Sequence, residues 1–373
     1  MKIFEYKKEI ENSFLSFKAT IDGENENIIW NPEEEKIDDG WIIKLNISSE
    51  KKPFAVKNVL ITAKVPIIDI HGISIPGKVN NPYLFILPWH IEEDTSLYRE
   101  FPFLSFINRK GENKFALGIK DPTLGFKISG GIIEKTEEFE LDISSITKHR
   151  GNSFELEVFI STQQKHWFEL SQLYSNWVNP EQDKLPDFMY DPVYCSWYAF
   201  YQELDQKYLE SVVEEAHNLG FKIFILDDGW FTDDTNRGYW YTGDWEVYEG
   251  KFPNFKDHVK KIHDIGMKYV LWIAPFMFGK KSKNYDSLSK YSVNSRDNLG
   301  FENLCPQSNF TKKRIINVLK ELLIKYDLDG FKLDFIDDLP TKPCSNESHE
   351  HFTYNPSKGV KEILKNIKEE LET

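Results

Sequence analysis

The sequence predicts an N-terminal antiparallel β-sandwich followed by a (β/α)8-type (TIM) barrel, of which about the first four βα units are present. Three observations predict it. At 373 residues the chain exceeds one ordinary domain. Over roughly the first 170 residues, apolar residues recur in short runs cut by Pro and Gly, and no helical period holds for three turns. From Val193 onward, strand-like and helix-like stretches alternate, which implies a parallel sheet, and long insertions after the strands suggest a barrel.

The elements follow in order. Trp41–Ile47 is a strand bounded by Gly40 and Ser48-Ser49, Phe54–Val65 is another, and Phe115–Ile119 is closed by Asp121-Pro122. Phe154, Leu156, Val158 and Ile160 alternate with polar Glu155 and Glu157, as on a strand with one buried face. Trp167–Trp177 reads as a short helix that completes a sandwich domain over 1–178. Prolines and mixed charge mark a linker over 179–192, leaving 193–373 for the N-terminal half of a barrel. There, Val193–Trp197, Phe221–Leu226, Lys268–Ala274 and Phe331–Phe335 are strand candidates. Asp205 caps a helix with Leu209, Val212, Val213, Ala216 and Leu219 on one face, stopped by Gly220. Phe255–Ile265, Thr311–Tyr326 and Ser357–Leu371 are the later helices. His217 and His263 read as helix C-terminal residues favoured by the macrodipole rather than as metal ligands.

Composition narrows the function. Forty-six Lys and Arg against 60 Asp and Glu give a net charge of −14, which argues against a nucleic-acid groove or an anionic membrane surface. Aromatic residues make up 15% of the chain, and with 40% hydrophobic residues the sequence can bury a core. Three cysteines, Cys195, Cys305 and Cys344, imply no disulfide framework. Met1–Ser13 lacks an apolar signal region and no run approaches the roughly 18 apolar residues of a membrane helix, so a soluble cytoplasmic protein is expected.

Two polar clusters need an explanation. In Phe331-Lys332-Leu333-Asp334-Phe335, strand alternation puts Phe331, Leu333 and Phe335 on one face and Lys332 and Asp334 on the other. Charges facing a barrel interior are costly unless paired or at the rim, and the C-terminal rim is where such barrels do chemistry. A lysine two residues away favours the ionised carboxylate that a nucleophile requires, although a structural ion pair fits the pattern equally well. In Asp227-Asp228-Gly229-Trp230, two acids at a strand exit can accept hydrogen bonds from vicinal hydroxyls, Gly229 permits close backbone approach, and Trp230 offers a flat apolar face. The bland alternative is a helix cap. Trp197, Trp240, Trp245 and Trp272 also fall at strand ends or in the following loops, suited to the C–H faces of a sugar. A metal site at Asp227 and Asp228 is not expected, because no His or Cys is read at ligand spacing there.

Five motifs occur in series: Tyr194-Cys195-Ser196-Trp197-Tyr198, Phe224 to Phe231, Gly243-Asp244-Trp245 with Lys251-Phe252-Pro253, Gly266-Met267 leading to Leu271-Trp272, and Phe331 to Asp334. In this order, over roughly Pro192 to Pro340, they resemble the α-galactosidases of glycoside hydrolase family 36, the melibiase-like enzymes, which also place a β-sandwich before the barrel. The resemblance implies a retaining glycosidase for terminal α-galactosides, with Asp334 as nucleophile, Lys332 contacting ring hydroxyls, Asp227 and Asp228 reading the galactose-like ring, and Trp272 or Trp197 walling the pocket. It implies no cofactor and no metal, an oligosaccharide or small α-galactoside as partner, and a homo-oligomer for the full-length protein. Arg296 and Asn303 to Ser308 fall where that family has further binding residues, without a firm match. The family's acid/base sits on a later strand not found here, so the chain reads as truncated after the fourth βα unit, with little hydrolytic activity expected. Asp337 and Asp338 read as loop caps. Alternatives are an α-glucosidase or α-glycosyl transferase on the same scaffold, or an inactive sugar-binding fragment.

Overall fold

A computed structural model describes residues 1–22, 27–50, 52–76, 89–146, 149–179 and 186–371. The chain divides into two compact units, Met1–Gln182 with Thr341–Pro343, and Asp183–Pro340 with Cys344–Thr373.

Among the described residues, the first unit holds a seven-stranded and a six-stranded antiparallel sheet. The larger runs Lys2–Ile10, Ser13–Asp22, Phe54–Pro66, Glu138–Ser145, Phe126–Ile133, His90–Thr95, with His149–Gly151 also pairing to Phe54–Pro66. The smaller runs Ile28–Ile37, Gly40–Ser49, Ser153–Ser161, Asn113–Ile119, Phe103–Ile107, Gly72–Ser74. Alternation drives the pairing: Leu45 lies opposite Leu156 and Ile43 opposite Val158, all buried on one face. These residues share a core with Phe17, Ile61 and Leu141 of the larger sheet, which makes the unit a sandwich.

The smaller sheet also buries part of its outer face. Ile42, Phe103, Ala116 and Phe159 pack against Leu170 and Tyr174 of the Trp167–Val178 helix. Phe103–Ile107, covered on both sides, is therefore continuously buried rather than alternating. The Tyr174 hydroxyl donates to the Ile119 carbonyl at 2.6 Å, satisfying the polar tip inside the apolar layer.

Residues 180–185 of the expected linker lie outside the described residues. Residues 186–192 belong to the second unit: Asp187–Tyr190 forms a 3-10 turn, and the Pro192 carbonyl accepts the amides of Lys222 and Ile223.

The second unit is built on four parallel strands in chain order, Val193–Cys195, Ile223–Leu226, Lys268–Ile273 and Gly330–Leu333. After them come, in turn, the helices Gln206–Asn218, Phe255–Asp264, Asn309–Tyr326 and Pro356–Leu371, with neighbouring helices in contact. Asp205 caps the first of these by accepting the Tyr208 amide at 2.9 Å. Gly220 and Gly266 adopt φ of 99° and 88° just past the first two, a backbone that favours glycine.

The sheet is open: its two outer strands each pair on one side only among the described residues, and Gly330–Leu333 is half-buried throughout. Two strand ends differ from the sequence reading. The first strand stops at Cys195, and Trp197 starts a short helical turn, Trp197–Phe200. The fourth stops at Leu333, because the Asp334 carboxylate accepts the Phe335 amide at 2.8 Å and Phe335 turns to φ 57°. Phe335 thus leaves the face of Phe331 and Leu333, and its ring joins Tyr239, Trp272 and Phe301. A small antiparallel sheet of Met277–Gly279, Phe301–Leu304 and Ser292–Arg296, which the sequence did not reveal, lies between the third strand and its helix. Among the described residues, no helix is long and apolar enough to cross a membrane.

Candidate active site

The chemistry-bearing residues gather at the C-terminal ends of the parallel strands. Lys332 Nζ lies 2.7 Å from Asp227 Oδ2 and 3.2 Å from Asp334 Oδ2, so one ammonium bridges carboxylates from the second and fourth strands. The Lys332 and Asp334 side chains are about one third exposed, at 35% and 36%, whereas Asp227 is buried. The pair therefore sits at the rim, where its desolvation penalty is reduced.

Asp334 is held as an anion. Burial works against its charge, but the Trp272 indole donating to Oδ2 at 2.8 Å, the Phe335 amide donating to Oδ1, and Lys332 together keep its carboxyl below the usual carboxylate range. For Lys332, burial opposes the charge, but Asp227 and Asp334 outweigh it and keep the ammonium protonated.

Asp227 has its acceptors engaged. Its Oδ1 accepts the Asp228 amide, its Oδ2 accepts Lys332 and the Cys195 thiol, and its own amide donates to Ser196 Oγ at 2.9 Å. Asp228 is different. Gln202 Nε2 donates to its Oδ2 at 2.6 Å, while its Oδ1 is buried without a hydrogen-bond partner. Burial, reinforced by the neighbouring Asp227, pushes this carboxyl up to about 7. Burial also raises the Tyr239 phenol, as do Asp228, Asp334 and Asp227, the three acids it faces.

Several expectations need correction. Trp230 is fully buried; its indole donates to the Trp272 carbonyl at 3.0 Å and its ring stacks on Trp245, so it offers no face to a ligand. Trp272 is only 1% exposed and acts here as a hydrogen-bond donor beneath Asp334 rather than as an open wall. Gly229 does permit close approach, but by protein: a Cβ there would stand 2.8 Å from Gln202 Cα, and φ is 103°. Trp197 stays half-buried, its ring edge-on to Tyr201 with the exposed Arg237 guanidinium above both. Asp338 is no cap. Its carboxylate accepts from Arg296 Nε and from Asn303 Nδ2, each at 2.8 Å, which places Arg296 and Asn303 beside the loop that follows Asp334.

Sequence reasoning missed Ser196, Gln202, Tyr239 and the role of Lys251. Lys251 Nζ donates to the carbonyls of Gln202 and Gly229 at 2.7 and 2.9 Å, tying together the loops after the first two strands. A lysine inside an otherwise aromatic motif was the available signal for it. Gln202 follows Tyr201, whose φ of 49° reorients the chain, and sequence carries no mark of that turn. Sequence reasoning also did not group Cys305, Cys344, His349 and His351, whose donor atoms lie within 4.8 Å of one another.

An open parallel sheet carrying an acid–lysine–acid bridge at its strand exits defines an α/β unit with its polar site on the C-terminal rim. The chain belongs to the melibiase family, whose model matches residues 153–372. It is 33% identical over 149 residues to an α-galactosidase of Lactobacillus acidophilus, covering 38% of this chain and 19% of that protein. Over 99 residues it is 38% identical to α-galactosidase 1 of Pediococcus pentosaceus, covering 26% and 13%. An α-galactosidase structure from Lactobacillus brevis matches with a TM-score of 0.64 at 15% identity, over 100% of this chain and 56% of that one. A family 36 α-galactosidase of Geobacillus stearothermophilus in complex with stachyose matches with a TM-score of 0.64 at 14% identity, over 99% and 57%. The chain thus spans little more than half the length of these solved relatives.

Proposed function

We propose that this chain is the nucleophile-bearing part of a retaining glycoside hydrolase acting on terminal α-galactosides, oligosaccharides included. The observation that carries the reading is the Asp334 carboxylate, kept ionised at a strand exit by Trp272, the Phe335 amide and Lys332. Its oxygen attacks the anomeric carbon as the bond to the leaving group breaks, giving a glycosyl ester. A second carboxylate protonates the departing oxygen and then activates water. Asp228 Oδ1 accepts from one ring hydroxyl, Lys332 donates to another, and Trp197 lines the approach.

In this reading residues 1–178 are the sandwich, 179–192 the linker, and 193–373 the first half of a barrel. The part of the relatives' length not spanned here supplies the acid/base and pairs with the open edge at Gly330–Leu333. The protein works in the cytoplasm, without a cofactor, and the full-length enzyme is an oligomer. A family α-galactosidase name on curated relatives supports galactose over glucose as the glycon. Calorimetric titration of the chain with galactose and with glucose tests that choice. Preference for galactose, lost in Asp228→Ala, is expected. Equal affinity for both sugars contradicts the α-galactoside reading and favours a glucosidase or transferase.

A further inference from the structure

We propose that Cys305, Cys344, His349 and His351 form a tetrahedral site for one structural zinc ion, separate from the acid–lysine cluster. One ligand atom from each residue can be chosen so that all four lie within 4.8 Å of one another. At zinc–sulfur and zinc–nitrogen lengths of about 2.3 and 2.0–2.1 Å, tetrahedral donors stand roughly 3.3–3.8 Å apart. His349 Nε2 and Cys344 Sγ are already 3.8 Å apart. Closing on the metal asks only for a contraction of about an ångström in the widest pair.

The donors come from two places in the fold and are held by their surroundings. Cys305 directly follows the Phe301–Leu304 strand, and its amide donates to the Tyr291 carbonyl at 2.8 Å. Cys344, His349 and His351 come from the stretch after the Ile336–Asp338 turn. The Cys344 amide donates to Gln307 Oε1 at 2.8 Å, and the Asn346 amide approaches Cys344 Sγ at 3.4 Å, which fixes the position of the sulfur.

The histidines are oriented as ligands. His349 Nδ1 lies 2.8 Å from the Lys290 carbonyl, which can only accept, so Nδ1 carries the hydrogen and Nε2 presents its lone pair toward Cys344. Pinning the second ring nitrogen on a carbonyl is the usual outer support of a metal-bound imidazole. His351 Nε2 is buried without a hydrogen-bond partner, and its ring centroid lies 4.6 Å from that of His349. A buried imidazole nitrogen with nothing to bind needs an explanation, and a metal ion supplies one.

Two thiols and two imidazoles suit zinc rather than calcium or magnesium, which take oxygen donors. On binding, each thiol gives up its proton to solvent and each sulfur donates an electron pair to the metal. The two thiolates balance the 2+ charge, so the part-buried site ends neutral. Four protein ligands leave no open position, so the ion staples and does not catalyse. It fastens the stretch that follows the Asp334 strand to the end of the small antiparallel sheet. Asn303, two residues before Cys305, holds Asp338, four residues after Asp334.

The test needs no sugar. The chain is purified without chelator and dialysed, then its zinc is measured by mass spectrometry of the elements and its thiols are titrated after denaturation. One zinc per chain and three free thiols are expected, and cobalt added to the stripped protein should give the absorption of a tetrahedral dithiolate site. Cys344→Ser and His351→Ala should each weaken zinc binding at least about 10-fold in competition with a chromophoric chelator. Should either variant fail to fold by circular dichroism, stripping the unaltered chain and restoring zinc alone should lower and then recover its melting temperature. Overturning results are a chain with no retained zinc and no cobalt band, a mass two hydrogens light from a Cys305–Cys344 disulfide, or folded variants that bind zinc as before.

Discussion

Lys332 donates to Asp227 at 2.7 Å across 105 positions of sequence, joining the exits of the second and fourth parallel strands through one ammonium. The same ammonium reaches Asp334 at 3.2 Å, so a single cation bridges both acids. Replacing it isolates two carboxylates, one of them buried. Lys332→Met should destabilise the chain by about 2–3 kcal/mol, less than for a fully buried pair because Lys332 is partly solvated. Adding Asp227→Asn should recover part of that loss. Urea unfolding of both single variants and the double variant gives the coupling, and strict additivity contradicts the bridge.

Asp228 makes a pH-dependent prediction. Its carboxyl is raised to about 7 by burial, against about 3.9 in an unfolded chain, so the folded state keeps a proton that the unfolded state loses. Its contribution to stability is greatest below pH about 4 and is lost as pH rises through about 7. Asp228→Asn removes the charge without changing the shape. The variant should match the parent near pH 4 and exceed it by on the order of 2 kcal/mol at pH 8.5. Thermal unfolding at the two pH values measures this, and a constant difference refutes it. Galactose affinity should fall about 10-fold in the same variant if the unpartnered oxygen reads a hydroxyl.

Trp272→Phe keeps a ring in the core and removes the donor to Asp334. The Asp334 carboxyl should then titrate at higher pH, followed by carboxylate infrared or NMR signals. Its reaction with an activated glycosyl donor should slow by roughly 10-fold. An unchanged titration would show that the Phe335 amide and Lys332 suffice.

In the sandwich, Tyr174→Phe deletes one hydrogen bond to a carbonyl in an apolar layer and should lose about 1–2 kcal/mol. Gly118→Ala should cost more, because a Cβ there would stand 2.5 Å from the Tyr174 ring. Equilibrium unfolding ranks the two, and the reverse order contradicts this packing.

What the sequence showed and what it hid divide along physical lines. Alternation at Phe154–Ile160, the cap at Asp205 and the glycines at 220 and 266 are local signals, and each locates its element in the structure. His217 and His263 sit in the last turns of their helices as read, with His263 also 2.8 Å from Asp329. The burial of Trp230 was not legible, because a strand exit says nothing about a later loop folding over it to bring Trp245 onto its ring. The open edge of the parallel sheet follows from pairing between distant strands. The Cys–His quartet was half visible: Cys344, His349 and His351 are close in sequence, but Cys305 joins them only through the fold.

The central claim is that Asp334 is a glycosyl acceptor. The direct measurement is the mass of the chain after incubation with α-galactosyl fluoride, whose fluoride departs with the C–F electron pair and needs no acid catalyst. The account predicts one added galactosyl residue, mapped to the peptide containing Asp334 and lost in Asp334→Asn. A chain that binds galactose yet gains no label, or gains it on another residue, contradicts the assignment.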